Sequence, residues 1–191
     1  MNIRSRARLM GAACLFTAAI SSAGEAVPRY APDGRLLYPA GYREWIFLTS
    51  GLDMSYSKMA AVGGASMFDN VFVPLDSYRE FQRSGTWPEN TILVKEARTG
   101  SQKGSINRHG KFQTADMMGV EAHVKDTKRF AAGWGFFEFQ GDEPAVRIPE
   151  AADCYACHRQ HGAVDSTFVQ FYPTLYGIAA AKKTLASGFT P

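Results

Sequence analysis

A five-residue run near the end of the chain, Cys154-Tyr155-Ala156-Cys157-His158, constrains the molecule more than any other stretch. Two cysteines three apart, with a histidine directly after the second, match the requirement for covalent haem attachment. Each thiol adds to a haem vinyl group to form a thioether, and the adjacent histidine is placed to ligate iron from the proximal side. Two other uses of the same residues fit less well. A thioredoxin-like dithiol should follow an early strand of a βαβ unit, and no such unit precedes these cysteines. A tetrahedral zinc site needs further ligands, and only His161 is near; Cys154, Cys157, His158 and His161 together would be too compact. The expected cofactor is one haem c, tethered by Cys154 and Cys157, with His158 on the iron.

Such attachment belongs to an exported chain, and the first residues agree. Arg4, Arg6 and Arg8 form a positive start, Leu9 to Ile20 an apolar stretch, and Ser21, Ser22, Ala23, Gly24 and Ala26 a run of small residues. This pattern predicts a signal peptide over residues 1–23, cleaved near 23–26, with an apolar core too short to span a bilayer. Residues 27–191 are then a single haem domain, and the expected location is the periplasm. Cys14 and three arginines leave with the signal, so the basic count falls from 21 to 18 against 18 acids. That balance gives no electrostatic reason for a nucleic-acid partner.

Along the mature chain, Val27 to Gly41 is rich in Pro and Gly and reads as an extended lead-in. Tyr42 to Thr49 reads as a short helical turn running into a strand, and Met54 to Ser66 as a loop. Phe68 to Val73 is a strand stopped by Pro74. Asp76 is the expected N-cap of a helix that Gly85 ends. Thr91 to Arg98, Lys111 to Lys125 and Gly133 to Gln140 complete the strands, with a polar turn region from Thr99 to Gly110. Asp165 or Ser166 is expected to cap a further helix carrying Phe168, Phe171, Tyr172 and Leu175, kinked or restarted at Pro173. The fold class is therefore α+β: an antiparallel sheet of four or five strands with a few helices packed on it.

None of the 33 residues after His158 is methionine, so a methionine ligand would have to come from upstream. The candidates are Met54, Met59, Met67, Met117 and Met118, and such residues more often fill core gaps. An open or apolar distal face is the better expectation, and open iron suits small-molecule chemistry rather than simple electron relay.

The segments Tyr42-Arg43-Glu44-Trp45, Gly85-Thr86-Trp87-Pro88, Val94-Lys95-Glu96, Val120 to Asp126, Cys154 to His158 and Phe171-Tyr172-Pro173 resemble, in order, the cytochrome P-460 family, which includes the β-type cytochromes c′. The resemblance implies a β-rich mono-haem fold, a periplasmic home and a homodimer. Enzymes of that family carry a lysine cross-linked to the haem ring, oxidise hydroxylamine and pass electrons to a redox partner. The β-type cytochromes c′ lack the cross-link, have an apolar distal pocket and bind nitric oxide or carbon monoxide. A plain electron-transfer cytochrome is a third possibility.

Lys95 matches the cross-linking position. Leu93, Lys95 and Ala97 share one strand face, which is expected to be apolar and to lower the lysine pKa by desolvation. Ile92, Val94, Glu96 and Arg98 are expected to face outward. The family's enzymes have an arginine just before the strand Val71-Phe72-Val73; here that region reads Met67-Phe68-Asp69-Asn70. Phe68 there is a candidate distal cap, and Asp69 a candidate proton acceptor. Glu150 and Asp153 read as loop carboxylates, and His109 and His123 as surface or strand-face residues rather than ligands.

Overall fold

The computed structural model describes residues 26–54 and 66–189. The expected signal peptide, Cys14, Met59 and most of the Met54 to Ser66 loop lie outside the described residues. Five strands form one antiparallel meander: β1 (Ile46–Leu52), β2 (Met67–Val73), β3 (Ile92–Ser101), β4 (Phe112–Lys125) and β5 (Trp134–Phe139), paired in sequence order. Three helices accompany it: α1 (Leu75–Ser84), α2 (Asp153–His161) and α3 (Tyr176–Lys182). The α+β expectation therefore holds, with five strands.

Tyr42–Glu44 forms a 3-10 turn that runs into β1, as expected of a segment turning from helical to β-branched composition. α1 starts at Leu75 directly after Pro74, so Asp76 lies in the first turn and makes no capping bond. Proline fixes φ before the first turn, which leaves the acidic residue to face the helix dipole instead. Gly85 ends α1 at φ +81°, and a Cβ there would sit 2.8 Å from the Lys182 Cβ of α3. Both constraints require glycine.

The strands bury both faces. One face carries Leu48, Val73, Leu93 and Phe136 against Phe81, Trp87 and the chain after α2. The other carries Ile92, Val94, Val120 and Phe137 against Leu36, Tyr42 and Phe130. The expectation that Ile92, Val94 and Glu96 face outward is thus corrected. Leu36 pairs with Ala145, which fastens the irregular lead-in across that face as a second layer. Glu96 is 3% exposed there and accepts hydrogen bonds from Tyr42, Arg43 and Arg98. Burial alone would raise its carboxyl pKa, but these donors outweigh it and hold the group below the usual range. The stabilisation is therefore present above the unfolded carboxyl pKa and lost as pH falls through the lower native value. Glu96→Gln should cost about 1–3 kcal/mol in denaturant unfolding at neutral pH, because it removes the buried charge that Tyr42, Arg98 and the half-exposed Arg43 meet, and the deficit should shrink in acid.

α2 carries the cysteines and docks through Tyr155. Its hydroxyl accepts from Phe136 N–H at 3.1 Å and donates to the Ile148 carbonyl at 3.2 Å. The residue between the cysteines thus ties the motif to β5. Tyr155→Phe should leave a buried strand N–H unpaired and cost about 1–3 kcal/mol, read as a lower urea midpoint.

Candidate haem site

Alternation along the strands decides which side chains meet α2. Gly51, Asp69, Val71, Leu93, Lys95, Glu121 and His123 all point to one side of the sheet, where they form one wall of a cavity of about 490 Å³. The facing wall comes from Cys157, His158, Thr167, Phe168, Phe171 and Tyr172. Strand register explains the grouping: Val71 lies opposite Lys95, Lys95 opposite Glu121, and Leu93 opposite His123.

Lys95 Nζ lies 2.9 Å from Glu121 Oε1 and 3.6 Å from Asp69 Oδ1. Burial pulls the ammonium pKa down, but Glu121 and then Asp69 outweigh it, and the net shift is upward. The expected lowering is corrected: the strand face supplies apolar neighbours, yet its cross-strand partner is a carboxylate. Asp69 is pushed up, chiefly by burial and further by Glu121, against the pull of Lys95. Its Oδ1 is buried without a hydrogen-bond partner among the described residues. The site thus holds a lysine paired with two carboxylates, the second of which, Asp69, meets it at ion-pair rather than hydrogen-bond distance.

His158 sits near the end of α2 with Nδ1 2.9 Å from the Ser166 carbonyl. Its ring is surrounded by His123, Phe136 and Phe168, with centroids 4.6, 4.8 and 4.3 Å away. Burial lowers its pKa, so the imidazole is neutral and Nε2 keeps its lone pair. His123 is held well below its usual value by burial, then by His158 and Lys95. Burial also pushes both thiols up, unlike the depressed values of reactive dithiols and metal thiolates.

Several expected site residues meet here and others do not. Lys95, Asp69, Cys157 and His158 line the cavity, and Cys154 packs partly buried beside it. Phe68 is not in the lining. It alternates with Asp69 and lies on the other side of β2, beside Gly100, so its candidacy as distal cap is corrected. Met54 lines the cavity, whereas Met117 and Met118 are exposed on β4. Glu150 pairs with Arg147 in the turn before α2, in keeping with a loop carboxylate, whereas Asp153 is exposed but opens α2 rather than lying in a loop. Glu121 and His123 were not singled out as site residues. The signal was available, because β4 lies directly across from the Lys95 strand and the two residues share its parity. The chain after α2 is also corrected. Asp165 and Ser166 take φ +50° and +57° in a tight turn, and only Val169–Phe171 coils, as a 3-10 turn, before α3.

These residues fit a haem. Two thiols and a neutral imidazole with one free nitrogen share a helix beside a cavity of small-ligand size, which for such pockets is about 300–1,000 Å³. Cys154 and Cys157 would tether the ring, and His158 would ligate its iron. A family model described as Cytochrome P460 matches residues 39–169, from the lead-in to the turn after the cysteine motif. No curated protein matches the chain at a significant level. The chain belongs to the cytochrome P460 family, and that membership implies a haem cofactor.

Proposed function

We propose that this chain is an exported, periplasmic mono-haem c-type cytochrome that oxidises hydroxylamine and passes the electrons to a redox protein. The carrying observation is the charged group Lys95, Glu121 and Asp69 in the wall of the cavity that His158 also lines. When bound, haem iron supplies one-electron chemistry at an open coordination position. The side chains supply what such chemistry needs besides electrons. Oxidising hydroxylamine releases protons, and a carboxylate near the reacting nitrogen must accept them. Glu121 and Asp69 both stand in that wall, and the Lys95 ammonium keeps a negative charge beside it tolerable. Lys95 is also the proposed point of a covalent link to the ring. Exchanging a ring-edge C–H for a C–N bond to the lysine amine would release two protons and two electrons; Glu121 Oε1 is within reach of the ammonium proton, and an external oxidant of the peroxide class would take the electrons. A homodimer is the proposed working form.

A second reading, nitric oxide or carbon monoxide binding without turnover, is favoured by the apolar Val71, Leu93 and Phe168 in the same cavity and by the lack of an arginine over 67–70. The reduced absorption spectrum separates the two. A strongly red-shifted Soret band with hydroxylamine-dependent reduction of an acceptor dye supports the oxidase. An ordinary haem c band, with gas binding and no dye reduction, overturns it.

A further inference from the structure

Two segments remain without a role in the cavity, Gly85 to Pro88 and the end of β4 at Lys125. Both converge on the turn that follows α2. Thr167 N–H donates to the Val164 carbonyl at 2.8 Å and Val164 N–H to the Thr167 carbonyl at 3.3 Å, closing a two-residue turn. Its central residues, Asp165 and Ser166, both have left-handed φ, the signs of a type I′ turn. Neither is glycine, and a non-glycine pair in that region persists only where its surroundings hold it. The turn also lies flush on α2. A Cβ at Gly162 would come 2.6 Å from the His158 carbonyl oxygen and 2.7 Å from the Ser166 carbonyl carbon.

Four contacts hold the turn and its support. Thr167 Oγ1 donates to the Val164 carbonyl at 2.6 Å and accepts from Trp87 Nε1–H at 2.8 Å, both bonds being buried. Lys125 Nζ donates to the Trp87 carbonyl at 2.8 Å and pairs with the Asp165 carboxylate. Trp87 and Lys125 do not line the cavity. Thr167 itself stands in the cavity wall, and the assembly reaches His158 through the Ser166 carbonyl oxygen on Nδ1.

We infer that Trp87, Lys125 and Thr167 are positioning residues, which hold the Val164–Thr167 turn so that the Ser166 carbonyl fixes the orientation and basicity of the His158 imidazole. The inference rests on His158 being the iron ligand. A ligating histidine whose second ring N–H is bound to a carbonyl is fixed in tautomer and ring direction and is the more basic for it. Loosening the turn should therefore weaken the iron–histidine bond and favour the reduced iron.

The experiment uses the haem-loaded protein. Thr167→Val, which keeps shape but removes the hydroxyl, should lower the iron–histidine stretching frequency in the ferrous resonance Raman spectrum and raise the reduction potential. Lys125→Met, acting from the edge of the molecule, should shift both in the same directions by less. Thr167→Ser and Lys125→Arg should restore the wild-type values. If Thr167→Val and Lys125→Met load haem and lose only thermal stability, with band and potential unmoved, the inference is overturned while His158 stands as ligand. It is equally overturned if Thr167→Ser shifts the band as far as Thr167→Val. A wild-type ferrous protein with no iron–histidine band overturns the ligand assignment and the inference together.

Discussion

Acid–acetone extraction should leave haem on the wild-type chain and remove it completely from a Cys154→Ala/Cys157→Ala/Lys95→Leu triple variant. The two thiols are on the same helix, one turn apart, and one of them opens directly into the cavity. Nothing else among the described residues offers the ring a covalent hold except Lys95. Each single cysteine variant keeps one thioether and should lose part of its haem. His158→Ala should lose the native ferrous spectrum, because its ring lines the cavity from the cysteine helix and its Nδ1 is committed to the Ser166 carbonyl, which leaves Nε2 for the iron. His161→Ala should change it little. His161 is not in the cavity lining, and its carbonyl is bound by Gln170 at the foot of α2. Intact-protein mass reads the covalent attachment, and a wild-type chain that gives up its haem to the acid solvent sinks the assignment. If His161→Ala and not His158→Ala abolishes the spectrum, the proximal ligand is the wrong histidine.

Strands were easier to read than the faces they present. β2, β4 and β5 announce themselves by β-branched and aromatic runs ended by proline, glycine or polar turns, and their limits fall within a residue or two of expectation. A strand's parity is a different matter, since a slip of one residue exchanges its two faces. Phe68 and Asp69 were both offered as distal residues although neighbours on a strand cannot share a side. The β2–β3 register, which places Val71 across from Lys95, selects Asp69. Glu121 and His123 became site residues through the same kind of pairing, which no local pattern in β4 reveals. The outward assignment of Glu96 failed for a related reason. Its charge looks solvated in isolation, but Tyr42 and Arg43 arrive from the turn before β1 to meet it, alongside Arg98 of its own strand. The segment after α2 was misread because Phe168 and Phe171, three apart, fit an α-helix and a single 3-10 turn equally well. Asp165 and Ser166 were read as helix caps, yet aspartate also tolerates the left-handed region that the turn uses.

Lys95→Leu and Glu121→Gln should separate enzyme from binder, and by different routes. The wild type should yield a tryptic haem peptide that joins the Cys154–His158 segment to the Lys95 segment. Lys95→Leu should abolish that peptide, restore an ordinary Soret band and remove hydroxylamine oxidation, while nitric oxide binding survives. Glu121→Gln keeps the size of the side chain at 2.9 Å from the ammonium but removes the charge that most opposes the effect of burial on Lys95. Two consequences follow. The Lys95 pKa should fall, because desolvation then faces only Asp69. In the wild type the ion pair contributes stability below the free amine's pKa of about 10.4 and loses it as pH rises through the higher native value. In Glu121→Gln that alkaline loss should begin at lower pH. Turnover should fall as well, by about 10²–10⁴-fold if Glu121 is the proton acceptor. A far smaller fall, with Asp69→Asn giving the larger one, would move that role to Asp69. An ordinary ring and no joined peptide in the wild type would end the enzyme reading. Gas binding would then stand, and Glu121 and Asp69 would serve only to hold a charged lysine in the cavity wall.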